Sequence, residues 1–375
     1  MEAVLSRRIR YGGVIAGREE INAAAAVLAG QDWACGPVTA EFEAAAAAAQ
    51  GRAHALFVNS GSSALLLALA TLPRGSRVAM PALQFPTLYS AALWCGHVPV
   101  LVDVDDSLNM DPDALAGTHA GQRVDAVAFV HMAGNPSNAA EIARICGDYA
   151  LPLVEDICEA LGAAAGGIRA GNSGHVSATS THAAHQISTG EGGLVFTDDA
   201  AAYGKMRRIR DWGRAYGTAD IPGYYDGYVF AEAGLNLHAS DIQAALGLVQ
   251  LRRLDGFVEA RRRNWAVLQA KTQGLPFGTP RADPGCQPSW YTFPMLAADQ
   301  AERDRLAGHL AAAGIESRPV VAGNMARQPV CAGEDPARFP VADEVFRRGL
   351  WVSVHPALTG DGLAYIADTL AAFWE

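Results

Sequence analysis

Short apolar runs alternate with helix-spaced stretches through the first 250 residues. Residues 55–58, 77–80, 98–104, 126–131, 153–155 and 194–197 are compact apolar runs bounded by turn formers, the pattern of strands buried on both faces. Between them, 40–50, 62–72, a stretch ending at 91–96, and 139–149 repeat apolar residues at helical spacing. Strands alternating with helices predict a largely parallel sheet covered on both sides. Beyond about residue 240 the rhythm changes. Residues 241–270 predict one long helix or a helix pair, and 274–289, with prolines at 276, 280, 284 and 288, predict a loop. A strand at 291–296 and helices at 302–313 and 363–374 complete a smaller unit. The expected organisation is a large domain over 1–250 and a small C-terminal α/β domain over 251–375.

Composition narrows the class. Half of the 375 residues are hydrophobic and 18% are charged, the balance of a globular chain rather than a disordered one. The longest apolar stretch, 64–72, is about half of what a membrane span needs, so no membrane partner is expected. Early arginines without an apolar run behind them argue against a signal peptide. A net charge of −10 repels polyphosphate backbones and excludes nucleic acid as the main partner. Six cysteines without a CxxC pair suit reduced thiols, so a cytoplasmic location is expected. Of 29 basic residues only Lys205 and Lys271 are lysines, so lysine chemistry has two places to occur.

Four local patterns carry candidate chemistry. Asn59-Ser60-Gly61-Ser62-Ser63-Ala64 follows a strand and opens a helix, where small residues let backbone N–H groups approach a phosphate; an ordinary turn with a serine cap has the same pattern. Glu155-Asp156 ends a buried strand, the place where ligands bind in open α/β sheets, and Asp156 there could hold a protonated ring nitrogen or cap a helix. Phe85 lies just past another strand end, as a ring to stack on a ligand or as core. Thr189-Gly190-Glu191-Gly192-Gly193 needs the backbone freedom of glycine.

Taken in order, these pieces resemble the DegT/DnrJ/EryC1/StrS sugar aminotransferases. The likeness also runs through Gly36-Pro37 with Glu41-Phe42-Glu43, Ser180, Gly234-Leu235-Asn236 and Asp241-Ile242-Gln243-Ala244-Ala245-Leu246-Gly247. The resemblance implies the fold of type I pyridoxal-phosphate enzymes: a large domain with a mixed, mostly parallel seven-stranded sheet, and a small C-terminal α/β domain. It also implies a homodimer with the active site at the interface. Asp156 would hold the ring nitrogen, and Phe85 would pack on the ring. Ser60, Gly61, Ser62 and Ser180 would hold the phosphate, with Glu159 beside the ring and Asn236 reaching the neighbouring subunit's phosphate.

The family's cofactor-binding lysine stands five residues before the Gly-Glu-Gly-Gly stretch, and this sequence has His185 there. Such a histidine resembles the subgroup of sugar 3-dehydratases that use pyridoxamine phosphate, and so do Gly134-Asn135-Pro136, Arg210-Asp211-Trp212-Gly213-Arg214 and the run from Arg318 to Met325. Imidazole cannot capture the cofactor as lysine does. With a pKa near 6.5 it can take a proton at neutral pH, which makes His185 the expected catalytic base. The resemblance implies a nucleotide-linked 4-keto-6-deoxy sugar as substrate and L-glutamate as the amine donor, with Arg318 as carboxylate partner or as half of a bracing ion pair. Iron–sulfur members of the subgroup carry a cysteine cluster after Asp-Trp-Gly-Arg, whereas 215–230 holds no cysteine, so no metal is expected. Thr181 and Ala183 replace the usual Phe and Pro of the serine loop, and Glu159 replaces a frequent Gln. Arg261, Arg262 and Arg263 could meet a diphosphate, but are expected on a solvated helix face. Two other readings stay open: the same chemistry on an unusual sugar or coupled to a reductase, and an inactive homologue serving as a scaffold.

Overall fold

Apolar runs buried on both faces can only pair with one another, and they form a single sheet. The computed structural model describes residues 8–215 and 228–375. Seven strands lie side by side in the order His54–Val58, Gly193–Thr197, Val176–Ser180, Leu153–Asp156, Ala126–Val130, Arg77–Pro81 and Val98–Val102. All pairings are parallel except those of Gly193–Thr197, which runs antiparallel to both neighbours. The helix Gly61–Ala70 buries Ala64, Leu65, Leu67, Ala68 and Leu69 in the core beside Val78, Ala126 and Val154. On the alanine-rich helix Pro37–Gln50, Phe42 packs edge-on against Phe57 with ring centroids 4.9 Å apart. A Cβ at Gly247 would meet the Phe42 ring at 2.5 Å, so the Asp241–Arg252 helix needs glycine to come this close.

The 241–270 region is a helix pair, Asp241–Arg252 and Leu254–Lys271. Its second helix joins a separate core built on the antiparallel strands Thr292–Leu296 and Gly349–Ser353. Trp265 and Trp290 stack there at 3.6 Å beside Phe293. Ile9 from the start of the chain joins the same core, its N–H bonding to Gly314 at 3.0 Å. The two cores meet at the carboxyl ends of the large sheet. Met325 N–H donates to the Ala82 carbonyl at 2.8 Å, Tyr291 N–H to Ala133 at 2.8 Å, and Ser289 N–H to Gly134 at 2.9 Å. Gly134 sits at φ 82°, and a Cβ there would lie 2.2 Å from the Ser289 carbonyl oxygen. Among the described residues, no helix is long and apolar enough to cross a membrane.

Candidate active site

Three strand ends and one helix start meet where the sequence places a phosphate. Ser60 caps the Gly61–Ala70 helix, its Oγ accepting from Ser63 N–H at 3.1 Å, so the capping role is met in full. The first helical N–H groups, those of Gly61 and Ser62, have no carbonyl one turn back to bond, which leaves a positive helix end. A Cβ on Gly61 would lie 2.6 Å from the Cβ of Ser180, and one on Gly193 would lie 2.5 Å from the Ser60 carbonyl oxygen. Glycine is therefore what lets this helix start touch Ser180 and the Gly-Glu-Gly-Gly turn. Asn59 N–H donates to Leu237 at 3.0 Å and holds the next segment alongside. There Asn236 is exposed, its Oδ1 accepting from His238 N–H at 3.3 Å.

Strand alternation gives the two adjacent carboxylates different surroundings. Glu155 is wholly buried and accepts from His131 Nε2 at 2.8 Å, Gly171 N–H at 3.0 Å and Gly174 N–H at 2.5 Å. Burial opposes its charge, but the His131 partner and the two glycine N–H bonds hold it below the usual carboxylate range. Asp156 accepts from Cys158 N–H at 2.9 Å and, among the described residues, has no Arg or Lys paired with it. Burial pushes its pKa up, opposed by Cys158 and the nearby His131. A carboxylate in want of a cation at the end of a central strand fits a protonated ring nitrogen. Glu159 Oε2 accepts from Ala133 N–H at 2.6 Å; burial pushes its carboxyl up to about 8, the Ala133 bond opposing and the Asp156 charge adding. At neutral pH Glu159 is thus a neutral hydrogen-bond donor, which accounts physically for its standing in for a glutamine. Phe85 is 64% exposed at the start of the Pro86–Trp94 helix, a ring not used up in the core.

His185 lies in the loop after Ser180, its N–H bonded to the His182 carbonyl at 3.0 Å. Its ring stacks on Tyr291 at 5.3 Å, and its Nδ1 is buried without a partner. Burial pushes its pKa down to about 3, with His182 and Arg261 adding and the Cys158 backbone opposing. The value near 6.5 expected from the sequence is therefore corrected: the imidazole is neutral throughout the physiological range. Behind it, Tyr291 meets Tyr11 edge-on at 5.9 Å, and the Arg318 guanidinium lies 5.7 Å from the Tyr11 ring. Arg318 is exposed, donates to the Ser317 carbonyl at 3.0 Å, and makes no ion pair among the described residues.

Tyr11, Tyr291 and His131 border the site without any local sequence signal, because only the tertiary fold brings them there. Arg261 is a second correction: it is 1% exposed and donates to the Trp290 and Tyr291 carbonyls at 3.2 and 2.9 Å, whereas Arg263 is solvated as expected. Lys205, in the helix Ala200–Arg210, and Lys271, ending Leu254–Lys271, make no hydrogen bond or ion pair with Asp156, Ser180 or His185. Most of the cysteine-free stretch 215–230 lies outside the described residues.

Comparison with known proteins follows this geometry. The profile of the DegT/DnrJ/EryC1/StrS aminotransferase family matches residues 15–371. The chain is 35% identical to a dTDP-4-dehydro-2,6-dideoxy-D-glucose 3-dehydratase of Saccharopolyspora spinosa, covering 91% of this chain and 81% of that one. It is 33% identical to a GDP-perosamine synthase of Caulobacter vibrioides over 75% of each chain. A solved GDP-4-keto-6-deoxymannose-3-dehydratase with a trapped PLP–glutamate geminal diamine superposes with a TM-score of 0.88 at 27% identity, covering 96% of this chain and 100% of that one.

Proposed function

The chain belongs to the DegT/DnrJ/EryC1/StrS aminotransferase family, whose cofactor is pyridoxal phosphate or its amine form, and from that premise we propose that it is a 3-dehydratase of a nucleotide-linked 4-keto-6-deoxy sugar. One observation carries the reading: imidazole stands at position 185, and neither Lys205 nor Lys271 hydrogen-bonds or pairs with Asp156, Ser180 or His185. Bound in its amine form, the cofactor supplies a nitrogen nucleophile for the sugar ketone and a ring that accepts electrons.

The protein's own groups do the rest. Asp156 keeps the ring nitrogen protonated, an assignment supported by its having no Arg or Lys partner among the described residues. The N–H groups of Gly61 and Ser62, the positive helix end capped by Ser60, and the Ser180 hydroxyl bind the phosphate. Asn236 adds a contact from a second subunit of a homodimer. Glu159, neutral at pH 7, donates rather than accepts at the ring, and Phe85 covers it. His185 removes the proton from C4′, the cofactor carbon bearing the amine, as hydroxide leaves sugar C3. The phosphate's negative charge raises the basicity that burial alone suppresses. Hydrolysis then yields the 3-deoxy-4-keto sugar and ammonia. Arg318, exposed and without an ion pair among the described residues, binds L-glutamate for recovery of the amine form. The two dehydratase relatives support the reaction, and the glutamate adduct of one supports the amine donor.

His185→Asn tests the reading. The variant is expected to bind cofactor as before and to lose dehydration by about a hundredfold or more, the scale of a general base. Near-UV and visible spectra of wild-type protein loaded with pyridoxal phosphate should shift from the aldehyde to the amine band on adding L-glutamate. Persistent dehydration by the variant refutes the role of His185.

A further inference from the structure

The loop that carries His185 is held by a distant part of the chain, Ser289 to Tyr291, which leads into the strand Thr292–Leu296 of the second core. Gln186, the next residue, is buried, and its Nε2 donates to the Ser289 carbonyl at 3.0 Å. The His185 ring lies on the Tyr291 ring, with centroids 5.3 Å apart and planes inclined by only 22°. Two consecutive residues of the loop thus dock on one three-residue segment, one by its ring face and the other by its amide. The segment is itself fixed. The N–H groups of Ser289 and Tyr291 donate to the Gly134 and Ala133 carbonyls at 2.9 and 2.8 Å. Arg261 donates to the Tyr291 carbonyl at 2.9 Å, and its guanidinium lies 5.9 Å from the Tyr291 ring. Tyr11 and Trp351 both meet that ring edge-on at 5.9 Å. A buried ring with neighbours on its edges and face has little room to turn.

We propose that Tyr291 is a positioning residue for His185, the flat face of its ring fixing the plane of the imidazole. The proposal rests on the base role given to His185 above. The Cys158 carbonyl accepts the imidazole proton, which pins one point of the ring and leaves the ring free to pivot about that bond. A nearly parallel aromatic face removes the pivot and adds no charge beside the base. The lone pair that takes a proton lies in the plane of the imidazole, so a tilted plane aims it away from the C–H bond it must break. Tyr291 belongs to the second core and His185 to the large domain. The base is therefore aligned only while the two cores are packed together.

The test combines spectroscopy with kinetics. In whole protein carrying isotope-labelled histidine, with and without pyridoxamine phosphate, the carbon-bound ring protons of His185 are identified by their loss in His185→Asn. The face of Tyr291 should shift them upfield in wild type and in Tyr291→Phe, and Tyr291→Leu should abolish the shift. Unshifted signals in wild type overturn the proposal without any variant of Tyr291. Tyr291→Leu should lower kcat about tenfold to a hundredfold, the scale of a misplaced catalytic group, with KM and cofactor affinity near wild type. Its kinetic isotope effect with cofactor deuterated at C4′ should rise, because proton removal becomes the slower step. Tyr291→Phe, which keeps the plane, should stay near wild type in kcat and isotope effect. Equal losses in the Phe and Leu variants would assign the effect to the hydroxyl. A loss in Tyr291→Leu confined to cofactor affinity, with an unchanged isotope effect, would show that Tyr291 only packs. Either result overturns the proposal. In the His185→Asn background Tyr291→Leu should cost nothing further, and an equal loss in both backgrounds also contradicts it. A His185→Asn enzyme with full activity refutes the base, whereas the ring-proton shifts report on the stacking independently of activity.

Discussion

His185 and Glu159 are both held neutral by burial, yet they push stability in opposite directions with pH. Glu159 titrates at about 8 in the folded chain and near 4.5 when unfolded, so the native state keeps a proton that the unfolded state has lost. Stability from this group therefore falls as pH rises from 4.5 and is fully lost above 8, by up to a few kcal/mol. Glu159→Gln removes that slope: its melting temperature should gain on wild type between about pH 5 and 8 and hold that gain above it, and parallel curves would contradict the assignment. For His185 the folded pKa of about 3 lies below the unfolded value, so the unfolded state binds the extra proton and stability falls as pH drops from 6.5 towards 3. His355, pushed down to about 4 by burial and Arg261, adds to the same slope. Acid titration by circular dichroism should find His185→Asn less acid-labile than wild type; equal lability would count against a buried, neutral His185. The identity of both residues was legible in the sequence as a departure from a familiar register. Their protonation was not, because it depends on Tyr291, Ala133 and Arg261, which only the fold brings near.

Among the elements, what could be read early was whatever carried its own hydrophobic pattern. The strands at 54–58, 77–81, 98–102, 126–130, 153–156 and 193–197 did. Val176–Ser180 did not: Val-Ser-Ala-Thr-Ser has no apolar run, yet all five residues are buried in the middle of the sheet, with Thr179 Oγ1 bonded to the Ile157 carbonyl at 3.1 Å. Small side chains at that place leave room for the Gly61 helix start, and the strand ends in Ser180. Gly61→Ala tests this packing. The added methyl has to displace Ser180 or the helix, so cofactor affinity should fall at least about tenfold, with an overpacking cost of ~1–3 kcal/mol in stability. Cofactor fluorescence titration and thermal melting measure the two, and unchanged affinity would show that the helix start does not bind the phosphate.

At the scale of the whole molecule, the two cores are joined where the site lies, through Ala82, Ala133 and Gly134 on one side and Met325, Tyr291 and Ser289 on the other. The proposed homodimer makes a further demand: His185 and Asn236 serve one site from different chains. Mixing His185→Asn with Asn236→Ala subunits, each inactive or strongly impaired alone, should restore up to about a quarter of wild-type activity, since each mixed dimer regains one intact site. No recovery after confirmed subunit exchange would place Asn236 in its own subunit's site or outside the chemistry.

The central claim is the reaction, and mass spectrometry of the sugar product tests it most directly. Protein loaded with pyridoxamine phosphate is incubated with a nucleotide-linked 4-keto-6-deoxy sugar and L-glutamate. The product should be the 3-deoxy-4-keto sugar, lighter than the substrate by one oxygen atom, with one ammonia released per turnover and none formed by His185→Asn. A product carrying an amino group at C4 with the C3 hydroxyl retained would instead make the chain a sugar aminotransferase and contradict the account.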